Sequence, residues 1–132
     1  MIEANYVIIG GTSGIGFALA RRLVARGERV LIGGRNEQKL ARAVEQLGAL
    51  AAGRLVDITD RASLRLFFSG TEALSGLFTP AASYSTGHFR DGDSATSEGL
   101  FQAKFWAQYW AVYEALPHLG ERASVVLMSG AA

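Results

Sequence analysis

Tyr6-Val7-Ile8-Ile9-Gly10-Gly11-Thr12-Ser13-Gly14-Ile15-Gly16 is an apolar run that gives way to spaced glycines, and a helix-forming stretch follows over residues 17–25. The pattern predicts a strand at 6–9, a helix at 14–26, and a tight turn at Gly10, Gly14 and Gly16 between them. Glycine lets the backbone make such a turn and come into contact with a pyrophosphate, whose charge then meets the unpaired N–H groups of the helix N-terminus. Gly-x-x-x-Gly-x-Gly at a strand-to-helix junction therefore points to a dinucleotide. Taken alone, the same spacing also fits a turn that holds no ligand.

Outward from this turn, strands and helices alternate. A second short apolar strand is predicted at 30–32, without polar alternation, as expected of parallel strands covered on both faces. Asn36 is placed to cap a helix over 37–47 that Gly48 ends. A third strand at 54–56 leads to Asp57, and Asp60 caps a helix that runs to Phe68 and closes at Ser69-Gly70. Leu77-Phe78, between Gly76 and Pro80, reads as a weak fourth strand. A polar loop over 83–97 follows, then the longest helix at 100–116, halted by Pro117 and Gly120, and a fifth strand at 124–128. Units in this order make a right-handed, doubly wound α/β sheet.

Composition limits the functions open to the chain. Its 132 residues, 49% hydrophobic, suffice for one domain with a sizeable core. No apolar run approaches the length of a bilayer span and no basic segment leads into one at the N-terminus, so no membrane partner is expected. The absence of cysteine excludes disulfides and thiolate chemistry and fits a cytoplasmic protein. Thirteen basic and twelve acidic residues leave a net charge of +1. The only basic cluster, Arg21, Arg22, Arg26 and Arg29, reads as a solvated helix face and the strand after it, not a nucleic-acid stripe. His88 and His118 stand thirty apart with no carboxylate at ligand spacing; no metal site is expected, and both are read as surface histidines.

Four landmarks in order, Gly10-x-x-x-Gly14-x-Gly16, Gly34-Arg35-Asn36, Asp57-Ile58-Thr59 and Ser129, each after a strand, resemble the short-chain dehydrogenase/reductase family. The resemblance runs over essentially the whole chain and implies the N-terminal, cofactor-binding portion of a family member. It implies a three-layer α/β/α Rossmann-like fold, incomplete at the C-terminus, with strand order 3-2-1-4-5 and a nicotinamide cofactor across the carboxyl ends of the strands. Gly10, Thr12, Gly14, Ile15 and Gly16 would form the pyrophosphate side, with Ser13, Asn36, Ile58 and Ala81 also near the cofactor. Asp57 would accept from the adenine amino group; equally, it could form the turn ahead of the Asp60 cap.

The end of the second strand selects the nucleotide. A carboxylate there would bind the ribose 2′-hydroxyl of NAD, but this chain has Gly34-Arg35. Arginine offers a planar fork to a phosphate dianion and the glycine leaves room beside it, so NADP is expected over NAD. The competing reading of Arg35 is a solvated loop residue.

The chain departs from its relatives where proton transfer is concerned. The family uses a Tyr-x-x-x-Lys pair; the two lysines here, Lys39 and Lys104, follow Arg35 and Leu100 at that spacing, so these 132 residues contain no such pair. The family's Asn-Asn-Ala-Gly is replaced by Thr79-Pro80-Ala81-Ala82, which lacks the side-chain amides. The family's helix asparagine falls on Lys104, a catalytic candidate that could also be a lysine reaching out of an apolar helix. Ser129 resembles the substrate-orienting serine, although the usual Ser-Ser is Ser129-Gly130 here. Tyr84 could line a substrate pocket. The resemblance thus implies an NADP-dependent oxidoreductase acting on a small-molecule carbonyl or alcohol; a non-catalytic dinucleotide-binding or interaction module is the alternative. Phe101, Phe105, Trp106, Tyr109, Trp110 and Tyr113 make the long helix apolar nearly all round. It is therefore expected to be buried on both sides; the resemblance implies a homo-oligomer interface as the second neighbour, and partial cover by a C-terminal half is the alternative.

Overall fold

The computed structural model describes residues 2–79 and 89–129. Five parallel strands, β1 (Tyr6–Ile9), β2 (Val30–Gly34), β3 (Ala51–Leu55), β4 (Leu74–Thr79) and β5 (Leu119–Leu127), form one sheet in the order β3-β2-β1-β4-β5. The helices between them are α1 (Gly14–Ala25), α2 (Glu37–Leu47), α3 (Arg61–Phe68), α4 (Ser94–Leu100) and α5 (Ala107–Ala115). Alternation along the central strands divides the core in two. Ile8, Val30 and Ile32 pack with Ala20, Leu23 and Leu40 of α1 and α2 on one face. Val7, Ile9 and Leu31 pack with Leu64, Phe67 and Ala111 of α3 and α5 on the other. This is the expected three-layer architecture, and burial on both faces explains why β1 and β2 read as unbroken apolar runs.

Several expected bounds are corrected. The third strand begins at Ala51, not residue 54, and the fourth spans Leu74–Thr79 instead of two residues. Small residues hid both extensions. A Cβ on Gly53 would lie 2.9 Å from Leu40 Cγ, and one on Gly76 would lie 2.8 Å from the Tyr6 ring, so close packing selects glycine where β-propensity disfavours it. The fifth strand starts at Leu119, five residues early, because a register irregularity between Leu74 and Gly76 lets residues 120–123 bulge before Ser124 pairs with Gly76. The expected loop over 83–97 contains, in its described part, a 3₁₀ turn (Phe89–Asp91) and the start of α4, capped where Asp93 Oδ1 accepts from Thr96 N–H at 2.6 Å.

The long helix is a continuous helical run of α4, a π turn (Phe101–Trp106) and α5. Pro117 does not stop it directly but sits in a closing 3₁₀ turn, Leu116–His118. Its buried stripe is small: Ala103, Ala107, Ala111 and Ala115 face the sheet. Among the described residues nothing covers its outer side, where Phe105, Trp106, Tyr109 and Tyr113 are 42–56% exposed. The alanines allow close approach to the strands and turn the bulky rings outward. His118 is likewise no simple surface residue: half-buried, it stacks on Phe68 with Nδ1 2.7 Å from the Thr71 carbonyl oxygen.

The packing of α5 on α3 is fixed by charge. Glu114, the buried carboxylate of α5, bonds Arg61 Nη2 at 3.2 Å and Arg65 Nε and Nη2 at 3.3 Å, while Arg61 stacks its guanidinium 3.7 Å from the Trp110 ring centroid. The Arg65 hydrogen bond holds the Glu114 carboxyl below its ordinary range against the opposing effect of burial. The unfolded chain therefore takes up this proton first, so the stabilisation is complete above the ordinary carboxylate range and is lost as pH falls through the lowered value. Thermal denaturation of wild type and Glu114→Gln across acidic pH should show two midpoints that converge as pH drops; a constant gap would contradict the assignment.

Candidate nucleotide-binding site

The sheet brings the loops after β1, β2 and β3 to one edge, at the carboxyl ends of the strands, where a cleft of about 680 Å³ opens. Its floor is the glycine turn. Gly10 adopts φ +89° and Gly14 φ +58°, left-handed values that disfavour any side chain. A Cβ on Gly16 would collide with the Gly10 carbonyl and stand 3.2 Å from Gly11 Cα, so α1 starts directly against the end of β1. The N-terminus of α1 has no side-chain cap: Ser13 precedes it in an extended conformation, its carbonyl accepting from Phe17 N–H at 3.3 Å and its side chain bonding nothing in the first turn. By contrast, α2 is capped by Asn36 Oδ1, which accepts from Lys39 N–H at 2.9 Å, and α3 by Asp60 Oδ1, which accepts from Ala62 N–H at 3.0 Å. The helix that faces the cleft thus keeps its positive end open to a ligand's negative charge.

Gly10, Thr12, Ser13, Ile15 and Gly16 line this cleft together with Arg35, Asn36 and Ile58. Gly14 shapes the turn without lining it. The missing Cβ of Gly34 faces Thr12, whose Cγ2 it would meet at 3.1 Å, so the room it leaves is for the glycine turn to pack on β2. Asn36 also lines the cleft, but its side-chain oxygen caps α2. Lys39, one helical turn beyond Arg35, lines the cleft as well and was not singled out in the sequence; its spacing of four from Arg35 was the available signal.

Asp57 lies in an adjoining pocket of about 380 Å³ with Arg35, Leu55, Val56 and Ser63. Its Oδ1 accepts from the Thr59 hydroxyl at 2.7 Å and from Thr59 N–H at 3.0 Å. These Thr59 bonds, helped by the charge of Arg35, lower its pKa, so Asp57 is an anionic acceptor at neutral pH. The turn-forming role is realised.

Neither Lys104 nor Ser129 is among the residues lining the cleft, although Ala103 and Met128, their neighbours, are. Lys104 is half-buried and Ser129 exposed. Gln108, also absent from the sequence-based candidates, lies between these segments: its amide bonds the Lys104 carbonyl and both backbone groups of Met128, the residue before Ser129. Ala81, Tyr84, His88 and Gly130 lie outside the described residues.

The family model described as short chain dehydrogenase matches residues 4–132. The chain belongs to this family. A short chain dehydrogenase of Aspergillus nomiae is 33% identical over 128 residues, which cover 90% of this chain and 34% of that protein. A 3-ketodihydrosphingosine reductase of Cryptococcus neoformans is 40% identical over 75 residues, 57% of this chain and 22% of that one. Among solved structures, a short-chain type dehydrogenase/reductase from Mycobacterium ulcerans superposes with a TM-score of 0.80 at 27% identity, covering 88% of this chain and 46% of the other. The chain spans less than half the length of these relatives. Members of the family are oxidoreductases that bind NAD or NADP, and the turn, the open helix end and the cleft fit such a nucleotide. Among the described residues no helix is long and apolar enough to cross a membrane.

Gly16→Ala tests the turn. The added methyl forces α1 away from β1, at a cost of about 1–3 kcal/mol in denaturant unfolding and with loss of nucleotide binding. Unchanged stability and binding would show that the close approach does not matter.

Proposed function

We propose that residues 1–132 form the nucleotide-binding domain of an NADP-dependent short-chain oxidoreductase that acts on a small-molecule carbonyl or alcohol. The observation that carries the choice of nucleotide is the set of charges in the cleft: among the described residues its lining holds two cations, Arg35 and Lys39, and no carboxylate. An adenosine 2′-phosphate is a dianion that a planar guanidinium can grip at two oxygens and an ammonium can neutralise. A carboxylate in the same place would favour NAD. In this reading the first turn of α1 with Thr12 and Ser13 takes the pyrophosphate, and the Asp57 carboxylate, with one oxygen engaged by Thr59, offers the other to the adenine amino group.

When bound, the nicotinamide exchanges a hydride with the substrate carbon. The chain's own candidates for the accompanying polar work are Ser129 and Lys104, on the β5 side of the cleft, where the Gln108 amide joins the Lys104 carbonyl to the backbone of Met128, the residue before Ser129. These 132 residues contain no Tyr-x-x-x-Lys pair.

Calorimetric titration with NADP⁺ and NAD⁺ tests the reading. NADP⁺ should bind more tightly, and Arg35→Ala should weaken it by about 10- to 100-fold while leaving NAD⁺ nearly unchanged. Equal affinities, or an Arg35→Ala variant indistinguishable from wild type, would contradict it.

A second copy of the chain is the proposed partner. The exposed rings of Phe105, Trp106, Tyr109 and Tyr113 form an apolar helix face, and β5, paired among the described residues only with β4, leaves Val126 and Leu127 about half exposed beside it. Open strand edges and large apolar patches both favour association. Sedimentation of the 132-residue chain at micromolar concentration should show self-association; a monodisperse monomer that unfolds cooperatively would oppose it.

A further inference from the structure

Gln108 has every hydrogen-bonding position of its amide filled. Oε1 accepts from Met128 N–H at 2.9 Å and from the Thr79 hydroxyl at 3.1 Å; Nε2 donates to the carbonyls of Met128 and Lys104, each at 2.9 Å. A primary amide offers two acceptor positions and two donors, so none is left over. The orientation is unambiguous, because only the amide oxygen can face an N–H and only its nitrogen can face a carbonyl.

The partners make this side chain an extension of the sheet. The last register pair between β4 and β5 is Thr79 with Leu127. One residue further, Met128 finds in the Gln108 amide the acceptor and donor that another strand residue would have given it. The Thr79 hydroxyl ties the end of β4 to the same oxygen, and the Lys104 carbonyl ties in the π turn, where Ala107 N–H reaches back to Gln102. One amide therefore locks two strand ends to the helical run at the place where Ala103 and Met128 line the cleft. Gln108 itself does not line it. In the sheet order, Arg35 at the end of β2 and Met128 at the end of β5 stand on opposite sides of β1.

We propose that Gln108 is a positioning residue for the nicotinamide half of the cofactor: it holds Met128, and through it Ser129, at the β5 side of the cleft. The proposal rests on the nucleotide reading above, but it concerns a different half of the ligand from Arg35.

Two probes separate the halves: NADPH, and adenosine 2′,5′-bisphosphate, which lacks the nicotinamide. Gln108→Leu should raise the NADPH dissociation constant about tenfold and move the bound nicotinamide emission toward that of free NADPH, with bisphosphate affinity kept within about twofold. In the wild-type protein, the Gln108 side-chain and Met128 backbone amide resonances should shift on adding NADPH and stay in place on adding the bisphosphate. This second readout stands even if Gln108→Leu does not fold. Equal weakening of both probes, no weakening of either, or resonances that respond alike to both would overturn the proposal. A wild-type protein that binds neither probe would instead overturn the nucleotide reading on which it rests.

Discussion

The contact between the Gly16 backbone and the Gly10 carbonyl is the constraint on which the cleft depends. With no side chain between them, α1 begins directly on the end of β1 and its first turn opens toward the space above the strands. A cap would have satisfied that turn internally, as Asn36 and Asp60 do for α2 and α3; Ser13 leaves it open. The same placement brings the start of α2 alongside, so that Arg35 and Lys39 share the cleft with the glycine turn. Backbone dipole and side-chain cations then act in one direction and favour an anion.

The other side of the sheet depends on buried polar groups instead. Alanines let α5 lie close on the strands, and that closeness alone would not fix where the helix sits along them. Glu114, held between Arg61 and Arg65, fixes it against α3, and Gln108 fixes it against the ends of β4 and β5. Each is a polar residue in an apolar helix with its partners supplied by other elements, an arrangement that selects one packing among many of similar hydrophobic content.

What could be read in advance divides along the same line. The glycine turn, the caps Asn36 and Asp60, and the first strand are local patterns, and the structure has them as the residues imply, while the second strand runs two residues past its expected end, through Gly33 and Gly34. Strand extensions through Ala51, Ala52 and Gly53, and through Gly76, were hidden because a neighbour's side chain, Leu40 or Tyr6, chooses the small residue, and that neighbour lies far off in sequence. Lys39 was within reach as the cation one turn past Arg35. Gln108 and Glu114 were not, because an amide or a carboxylate in a helix states no partner, and all of theirs except the Lys104 carbonyl come from residues 20 to 53 positions away. The outward aromatic rings follow from the alanine stripe once it is seen that small residues, not large ones, face the sheet.

The account stands or falls on an anion at the open end of α1. Amide proton and nitrogen spectra of the protein titrated with NADP⁺ test this most directly, since the first-turn N–H groups report their own hydrogen bonding. The account predicts that the largest shifts fall on Gly14, Ile15 and Gly16, with a second group at Arg35 and Lys39. Saturable binding that leaves the first turn of α1 unmoved, or no binding at all, would contradict it.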